Sequence, residues 1–135
     1  MVTKILHVGI ATRSIAVVSE FYRLLGLRSD RTELAKDDRI KVAMMPVGDS
    51  LIELLEPTDE RSPVAKFLDK QGEGIHHISL EVDDLDETLE RLKKMDVQLI
   101  DKEPRPGFEG RRIAFIHPHS TGGVLVELCE ALPEH

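Results

Sequence analysis

The sequence contains one cysteine, Cys129, among 135 residues. A single cysteine excludes an internal disulfide framework and a zinc site built from thiolates, and it fits a reducing cytosol. No apolar run approaches the roughly 20 residues that span a bilayer. The start of the chain, MVTKILHVGIAT, lacks the basic segment, long apolar stretch and cleavage site of a signal peptide. We therefore expect a cytoplasmic protein that does not bind a membrane.

Positive charge and aromatic side chains are also scarce. The 18 lysines and arginines face 25 aspartates and glutamates, and the formal net charge of -7 argues against nucleic acid as a partner. This net charge does not exclude a small anionic substrate, whose binding depends on local charge. Aromatic residues make up only 4% of the chain, whereas 41% of the residues are hydrophobic, which is enough to build the core of a single domain.

The first half of the chain has the pattern strand, helix, strand, strand. Apolar residues alternate through residues 5–11, as in a half-buried strand. Ser14 can cap a helix that runs to about Leu25, and strand-like runs follow at 39–47 and 50–56. The apolar stripe that predicts the core-facing side of this helix consists of Ile15, Val18, Phe21, Tyr22 and Leu25.

The second half repeats this pattern after a short helix predicted over 62–70. Residues 76–82 form a predicted strand, and Asp84 begins a helix that runs to about Met95. The closing strands are predicted over 111–118 and 123–130.

The two halves can be aligned with each other. His7 then falls on His77, and GDSLIELLE falls on GGVLVELCE, which places Glu53 on Glu127. A long unit that occurs only twice favours a two-module domain over a repeat array. We predict an α+β fold in which residues 1–135 form a single domain of two βαβββ modules, about 1–58 and 73–135, joined by a short helical linker.

The repeat singles out two histidines and two glutamates. Side chains alternate along a strand, so His7, Glu53, His77 and Glu127 all face away from the helices, and they converge if the modules pair about a pseudo-twofold axis. A lone strand histidine is usually structural, but this recurrence in register favours a metal site. The nitrogen and oxygen donors suit a divalent ion of the Mn, Fe, Co, Ni or Zn range.

Other candidates carry less weight. His76 alternates with His77 and is predicted to face the packing side, with a structural role. His117 and His119 lie in a turn, where they are either surface residues or ligand contacts. Arg111 and Arg112 are adjacent and more typical of a surface, although they could pair with an anionic substrate.

The chain resembles a known superfamily in four stretches, HVGIA, VGDSLIELLEP, SPVAKFLDKQGEGIHHISLEVDDL and RRIAFIHPHSTGGVLVELCE. They are similar to the vicinal oxygen chelate (glyoxalase, bleomycin resistance and dioxygenase) superfamily, and within it to the methylmalonyl-CoA epimerases. The resemblance implies two paired modules that form a half-barrel cup around a metal held by His7, His77 and Glu127, with Glu53 as fourth ligand. It also implies a homodimer and a small acyl-CoA substrate.

The reaction implied by the resemblance interconverts (R)- and (S)-methylmalonyl-CoA. A divalent ion of the Co, Mn, Ni or Zn class would stabilise an enolate after removal of the α-proton. We hypothesise that Glu127 and Glu53 carry the proton away and return it. Some members are thought to use a further glutamate as a base, at a position that is Val42 here, so that residue cannot take this role.

Three alternatives share the fold. A glyoxalase I-like lactoylglutathione lyase uses the same metal ligands, although lyases tend to carry a DPDG-type turn where this chain has HPHSTGG. A ring-cleaving dioxygenase is commonly longer and keeps three ligands. A metal-free module that binds a small molecule needs an apolar or aromatic cup, which the histidines and glutamates do not supply.

Overall fold

The computed structural model describes residues 1–35 and 39–133. The chain divides into two compact units, one formed by residues 7–76 and the other by residues 1–6 together with 77–135. We call them the first and the second unit. Each combines β-strands with α-helix, so the predicted α+β class is confirmed.

The first unit contains a sheet with the strand order β2-β3-β4-β1. Its elements are β1 (Val2–Ala11, of which residues 7–11 belong here), α1 (Ile15–Leu24), β2 (Arg31–Ala35), β3 (Ile40–Val47), β4 (Ser50–Pro57) and α2 (Pro63–Gln71). Strands β2, β3 and β4 are antiparallel neighbours, whereas β1 runs parallel to β4. The parallel pairing requires a long crossover between the two strands, and α1 lies in it.

The predicted start of α1 is confirmed, but its predicted apolar stripe is wrong at two positions. The Ser14 hydroxyl accepts a hydrogen bond from the amide of Val17 and caps the helix. Phe21 and Leu25 are 57% and 63% exposed. The helix packs on the sheet through a narrower stripe formed by Ile15, Val18 and Tyr22. These side chains form one core with Ala43, Met45 and Leu54 of the sheet.

The second unit contains strands in the order β1-β5-β8-β7-β6, to which β1 contributes residues 2–6. Its elements are β5 (Gly74–Val82, of which residues 77–82 belong here), α3 (Leu85–Lys94), β6 (Arg105–Pro106), β7 (Arg112–Ile116) and β8 (Val126–Glu130), with single 3-10 turns at Phe108–Gly110 and Pro118–Ser120. Asp84 caps α3 by accepting a hydrogen bond from the Glu87 amide, as predicted. The core lies between α3 and one face of the sheet, and it contains Val82, Leu85, Leu89, Ala114, Ile116 and Leu128.

Two strands were not predicted. β2 has the sequence RTELA and carries too few apolar residues to give a strand pattern, and β6 is only two residues long and includes a proline. They supply the missing strand of each predicted βαβββ module.

No helix among the described residues is long and apolar enough to cross a membrane.

Candidate metal centre

The first unit holds His7 and Glu53 together. His7 lies on β1 and Glu53 on the neighbouring parallel strand β4, and both are buried, with 7% and 5% exposure. His7 Nδ1 lies 3.3 Å from Glu53 Oε2. The neighbouring residues Ile52 and Leu54 pack into the core beneath α1, so Glu53 projects from the opposite face of the sheet, as strand alternation predicts.

The second unit holds His77 and Glu127 together in an equivalent arrangement. They lie on the parallel neighbours β5 and β8 and are 6% and 8% exposed. A ring nitrogen of His77 and a carboxylate oxygen of Glu127 lie within 4.8 Å of each other. Leu80 and Leu128 pack on the α3 side, so both polar side chains are on the face away from the helix.

Ser79 lies beside Glu127 on the same face. The two residues are direct partners in the pairing of β5 with β8, and Ser79 is fully buried. Its hydroxyl makes no hydrogen bond to any group in residues 1–35 and 39–133. The hydroxyl nevertheless lies close enough to the Glu127 carboxyl to lower its pKa. We therefore regard Ser79 as a donor held next to Glu127, without a regular hydrogen bond to it.

The Glu127 carboxyl has a strongly perturbed pKa. Burial raises it to about 7, against the opposing effects of the Ser79 hydroxyl and the positive charge of Arg105. A buried carboxyl that takes up a proton near neutral pH is favourable for two tasks. It can donate or accept a proton at physiological pH, and it gains strongly from a cation placed beside it.

Phe115 and Arg105 extend this face of the second unit across β7 and β6. Phe115 pairs with Glu127 across β7 and β8, and its ring contacts the His77 ring edge-to-face, with 5.9 Å between centroids. The guanidinium carbon of Arg105 lies 5.0 Å from the centre of the Phe115 ring. Arg105 Nε also donates to Asp101 at 3.2 Å.

Sequence reasoning missed Arg105 and Ser79. Arg105 lies in the Pro/Gly-rich stretch EPRPGFEG, where a two-residue strand gives no alternating pattern. Ser79 could have been found from strand parity, since it lies two residues after His77 on the same face of β5.

The remaining histidine and arginine candidates have internal partners. The His76 ring packs edge-to-face on Phe67 of α2, with 5.1 Å between centroids, and burial lowers its pKa. His117 Nδ1 accepts a hydrogen bond from the His119 amide inside a 3-10 turn.

The two adjacent arginines are held by carboxylates. Arg111 pairs with Glu81 at 3.0 Å, and Arg112 pairs with Asp86 at 2.7 Å and with Glu130 at 2.8 Å. Arg112 lies on the strand face that packs on α3, because Asp86 belongs to that helix. Neither arginine is therefore available to an anionic substrate without loss of an ion pair.

The donor set in each unit is suitable for a divalent cation. Each unit buries one imidazole and one carboxylate with their ligand atoms close together, and buried carboxylates are costly unless a cation or donors compensate them. Imidazole and carboxylate without thiolate match the Mn to Zn range. His7 with Glu53 and His77 with Glu127 could each supply ligands to such an ion.

Comparison with known proteins gives a family match over most of the chain. Residues 6–115 match the model of the Glyoxalase/Bleomycin resistance protein/Dioxygenase superfamily. An ethylmalonyl-CoA/methylmalonyl-CoA epimerase from Cereibacter sphaeroides is 35% identical over 95% of this chain and 98% of its own length.

Two solved structures are similar to this chain over nearly its whole length. The methylmalonyl-CoA epimerase from Mycobacterium tuberculosis is 41% identical and covers 98% of this chain and 90% of its own, with a TM-score of 0.90. A variant of the Streptomyces coelicolor methylmalonyl-CoA epimerase, in complex with 2-nitronate-propionyl-CoA, is 38% identical and covers 97% of this chain and 96% of its own, with a TM-score of 0.89.

Proposed function

The chain belongs to the glyoxalase, bleomycin resistance and dioxygenase superfamily and resembles its methylmalonyl-CoA epimerases, and from this we propose that it is a metal-dependent epimerase of methylmalonyl-CoA. The reaction inverts the carbon between a carboxylate and a thioester carbonyl. The observation that carries the proposal is the buried histidine–glutamate pair that each unit presents at the equivalent position.

We propose that the two pairs hold one divalent cation between them, with His7, Glu53, His77 and Glu127 as ligands. Two carboxylates would balance the charge of such an ion. When bound, the cation would act as a Lewis acid that stabilises negative charge developing on the thioester oxygen. The identity of the ion, of the Co, Mn, Ni or Zn class with cobalt among the candidates, is to be determined by metal analysis of the purified protein.

The proton transfers fall to the two glutamates in this proposal. Inversion requires that one group removes the α-proton and another returns a proton to the opposite face of the carbon. Glu127 suits such a transfer because burial raises its pKa to about 7. Glu53 is its counterpart in the first unit, while the histidines act as fixed anchors.

Val42 cannot take part in proton transfer. It is 2% exposed and lies on β3, where it pairs with Leu55 of β4. A buried aliphatic side chain carries no exchangeable proton, so both proton transfers in this proposal fall to Glu53 and Glu127.

The proton transfers are tested by incubating the protein with methylmalonyl-CoA in deuterated water. We expect deuterium at the α-carbon of the substrate and of its epimer, and a chelator should abolish both. The glutathione hemithioacetal of methylglyoxal serves as the control substrate, and we expect no turnover of it. Turnover of the hemithioacetal without α-exchange in methylmalonyl-CoA would assign the chain to the lyases instead.

We also propose that the protein acts in the cytoplasm as a homodimer. Helix α1 supports self-association, because Val17, Phe21 and Leu24 expose an apolar stripe that continues into Leu25 after the helix. Sedimentation equilibrium should give twice the chain mass of 15.2 kDa. A single-chain mass at micromolar concentration would contradict the homodimer.

A further inference from the structure

We propose that Arg105 recognises the carboxylate of the acyl group, and so makes the site selective for acyl-CoA thioesters that carry a carboxylate beside the reacting carbon. This inference rests on the proposed function. It assigns a binding and specificity role to a residue that lies outside the histidine–glutamate pairs.

The first observation is where Arg105 lies in the second unit. Arg105 pairs with Ile113 across β6 and β7, and Phe115 is two residues further along β7 on the same face. Phe115 pairs in turn with Glu127, and its ring contacts His77. The guanidinium over the Phe115 ring is therefore separated from the His77 and Glu127 pair by one aromatic side chain.

The second observation is how firmly the guanidinium is held. Asp101 Oδ2 accepts a hydrogen bond from the Phe115 amide at 2.8 Å and another from Arg105 Nε at 3.2 Å. The guanidinium also packs over the Phe115 ring, with its central carbon 5.0 Å from the centre of the ring. Gly107 lets β6 lie close to β7, since a Cβ at that position would be 2.8 Å from Ile113 Cγ2. These contacts fix the plane of the guanidinium before any ligand arrives.

The third observation is that part of this cation remains available. Over residues 1–35 and 39–133, no hydrogen bond or ion pair uses the two terminal nitrogens of Arg105, and its side chain is 41% exposed. Arg111 and Arg112, by contrast, are engaged by carboxylates through their terminal nitrogens. Two parallel N–H donors match the two oxygens of a carboxylate, and the guanidinium keeps its charge at any physiological pH.

The charges at the site favour a carboxylate as the partner of the two terminal nitrogens of Arg105. Two ligand glutamates already neutralise a divalent ion, so the carboxylate of the substrate brings a negative charge that the ligand set does not offset. Arg105 shares its charge with Asp101, but its two terminal nitrogens offer N–H donors on the same face of the second unit. Asp101 takes up only the Nε side of the guanidinium, which leaves the terminal pair to the substrate.

The test compares the binding of three compounds to the metal-loaded protein by calorimetry. Malonyl-CoA carries the carboxylate and has no stereocentre, propionyl-CoA lacks the carboxylate, and free CoA lacks the acyl group. The variants are R105M, R105K and the matched control R112M, which alters an arginine on the opposite face of the sheet. The metal content and melting temperature of each variant are measured alongside.

We expect R105M to weaken malonyl-CoA binding about tenfold or more, the usual effect of removing a charge-assisted hydrogen bond. Binding of propionyl-CoA and CoA should change less than about twofold, and R112M should match the wild type. R105K keeps the charge without the bidentate geometry, so it should retain metal and show an intermediate loss for malonyl-CoA alone. If R105M loses metal or fails to fold, the R105K result decides.

Two results overturn the assignment in different ways. If the wild type prefers malonyl-CoA to propionyl-CoA and R105M keeps that preference, or if all three compounds weaken equally, Arg105 does not read the acyl carboxylate and the proposed function stands. If the wild type shows no preference for malonyl-CoA, the site does not recognise the acyl carboxylate and this inference fails, while α-proton exchange in methylmalonyl-CoA decides the proposed function separately.

Discussion

The Nδ1 atom of His7 lies 3.3 Å from Oε2 of Glu53, and both side chains are buried. A histidine and a carboxylate placed together away from water form a strong interaction only if one of them is charged or a cation joins them. His77 and Glu127 repeat the arrangement in the other unit. This recurrence makes the four residues candidates for one task and gives the following predictions.

His77 and His76 are neighbours in sequence with different expected roles. H77A should lose the metal, because it removes an imidazole ligand, and with it the epimerase activity. H76A should retain the metal and lose stability by about 1 kcal/mol, since it removes the aromatic contact with Phe67. Metal analysis and urea unfolding of both variants check this. Loss of metal in H76A with retention in H77A would reverse the assignment.

E53Q and E127Q separate ligation from proton transfer. Each should reduce α-proton exchange by at least about a hundredfold, because an amide cannot accept the proton. The metal content of each variant is measured in the same preparation, so that loss of metal is not mistaken for loss of a base. Full racemisation by both variants with metal retained would contradict the carboxylate-base mechanism.

Removal of the Ser79 hydroxyl should weaken metal binding without weakening the fold. S79A takes away a donor beside Glu127, and loss of such a partner typically costs about tenfold in metal affinity. The metal-free variant should be as stable as the wild type, because the buried hydroxyl makes no regular hydrogen bond there. The control is S19A on α1, where the hydroxyl donates to the Ala16 carbonyl of the same helix. Equal metal affinity in S79A and S19A would remove Ser79 from the site.

Glu81 should make stability depend on pH in the acid range. Burial raises its pKa, but hydrogen bonds from Thr3 and Arg111 and the charges of Lys4 and Arg111 outweigh this, so the pKa in the folded protein lies below the usual 4.5. A carboxyl whose pKa is lower in the folded protein stabilises the fold at pH values above its pKa in the unfolded chain. This stabilisation is lost as the pH falls through the pKa of the folded protein. E81Q should therefore be less stable than the wild type at pH 7, and the gap should narrow below pH 4.5.

Urea unfolding of E81Q at pH 7 and at acid pH measures this gap. The control is E87Q on α3, where the ion pair with Arg91 is exposed and contributes little. If the difference in free energy of unfolding between the wild type and E81Q stays constant down to pH 3, the charge of Glu81 does not stabilise the fold.

The site residues that alternate along long strands could be predicted from the sequence, and the others could not. His7, Glu53, His77 and Glu127 lie in strands with regular apolar partners, so parity alone assigns their faces. Arg105 lies on a two-residue strand and owes its position to contacts with Asp101 and Phe115. Such contacts depend on tertiary packing, which leaves no local pattern.

The errors in the fold have a similar cause. Periodicity placed Phe21 and Leu25 in the core because both continue the apolar stripe of α1. How wide a stripe is buried depends on what lies beneath the helix, and here Ala43, Met45 and Leu54 form a core with Ile15, Val18 and Tyr22 but leave Phe21 and Leu25 exposed. The polar strand β2 was overlooked because its pairing with β3, rather than its composition, makes it a strand.

The central claim is that the four ligand residues bind one metal ion per chain and that epimerisation needs it. The direct measurement strips the protein with a chelator and then titrates in Co²⁺ or Mn²⁺, while racemisation of a single methylmalonyl-CoA epimer is followed. We predict no activity in the stripped protein and a linear rise that ends at one metal per chain. Full racemisation by the stripped protein, with no response to added metal, would contradict the account.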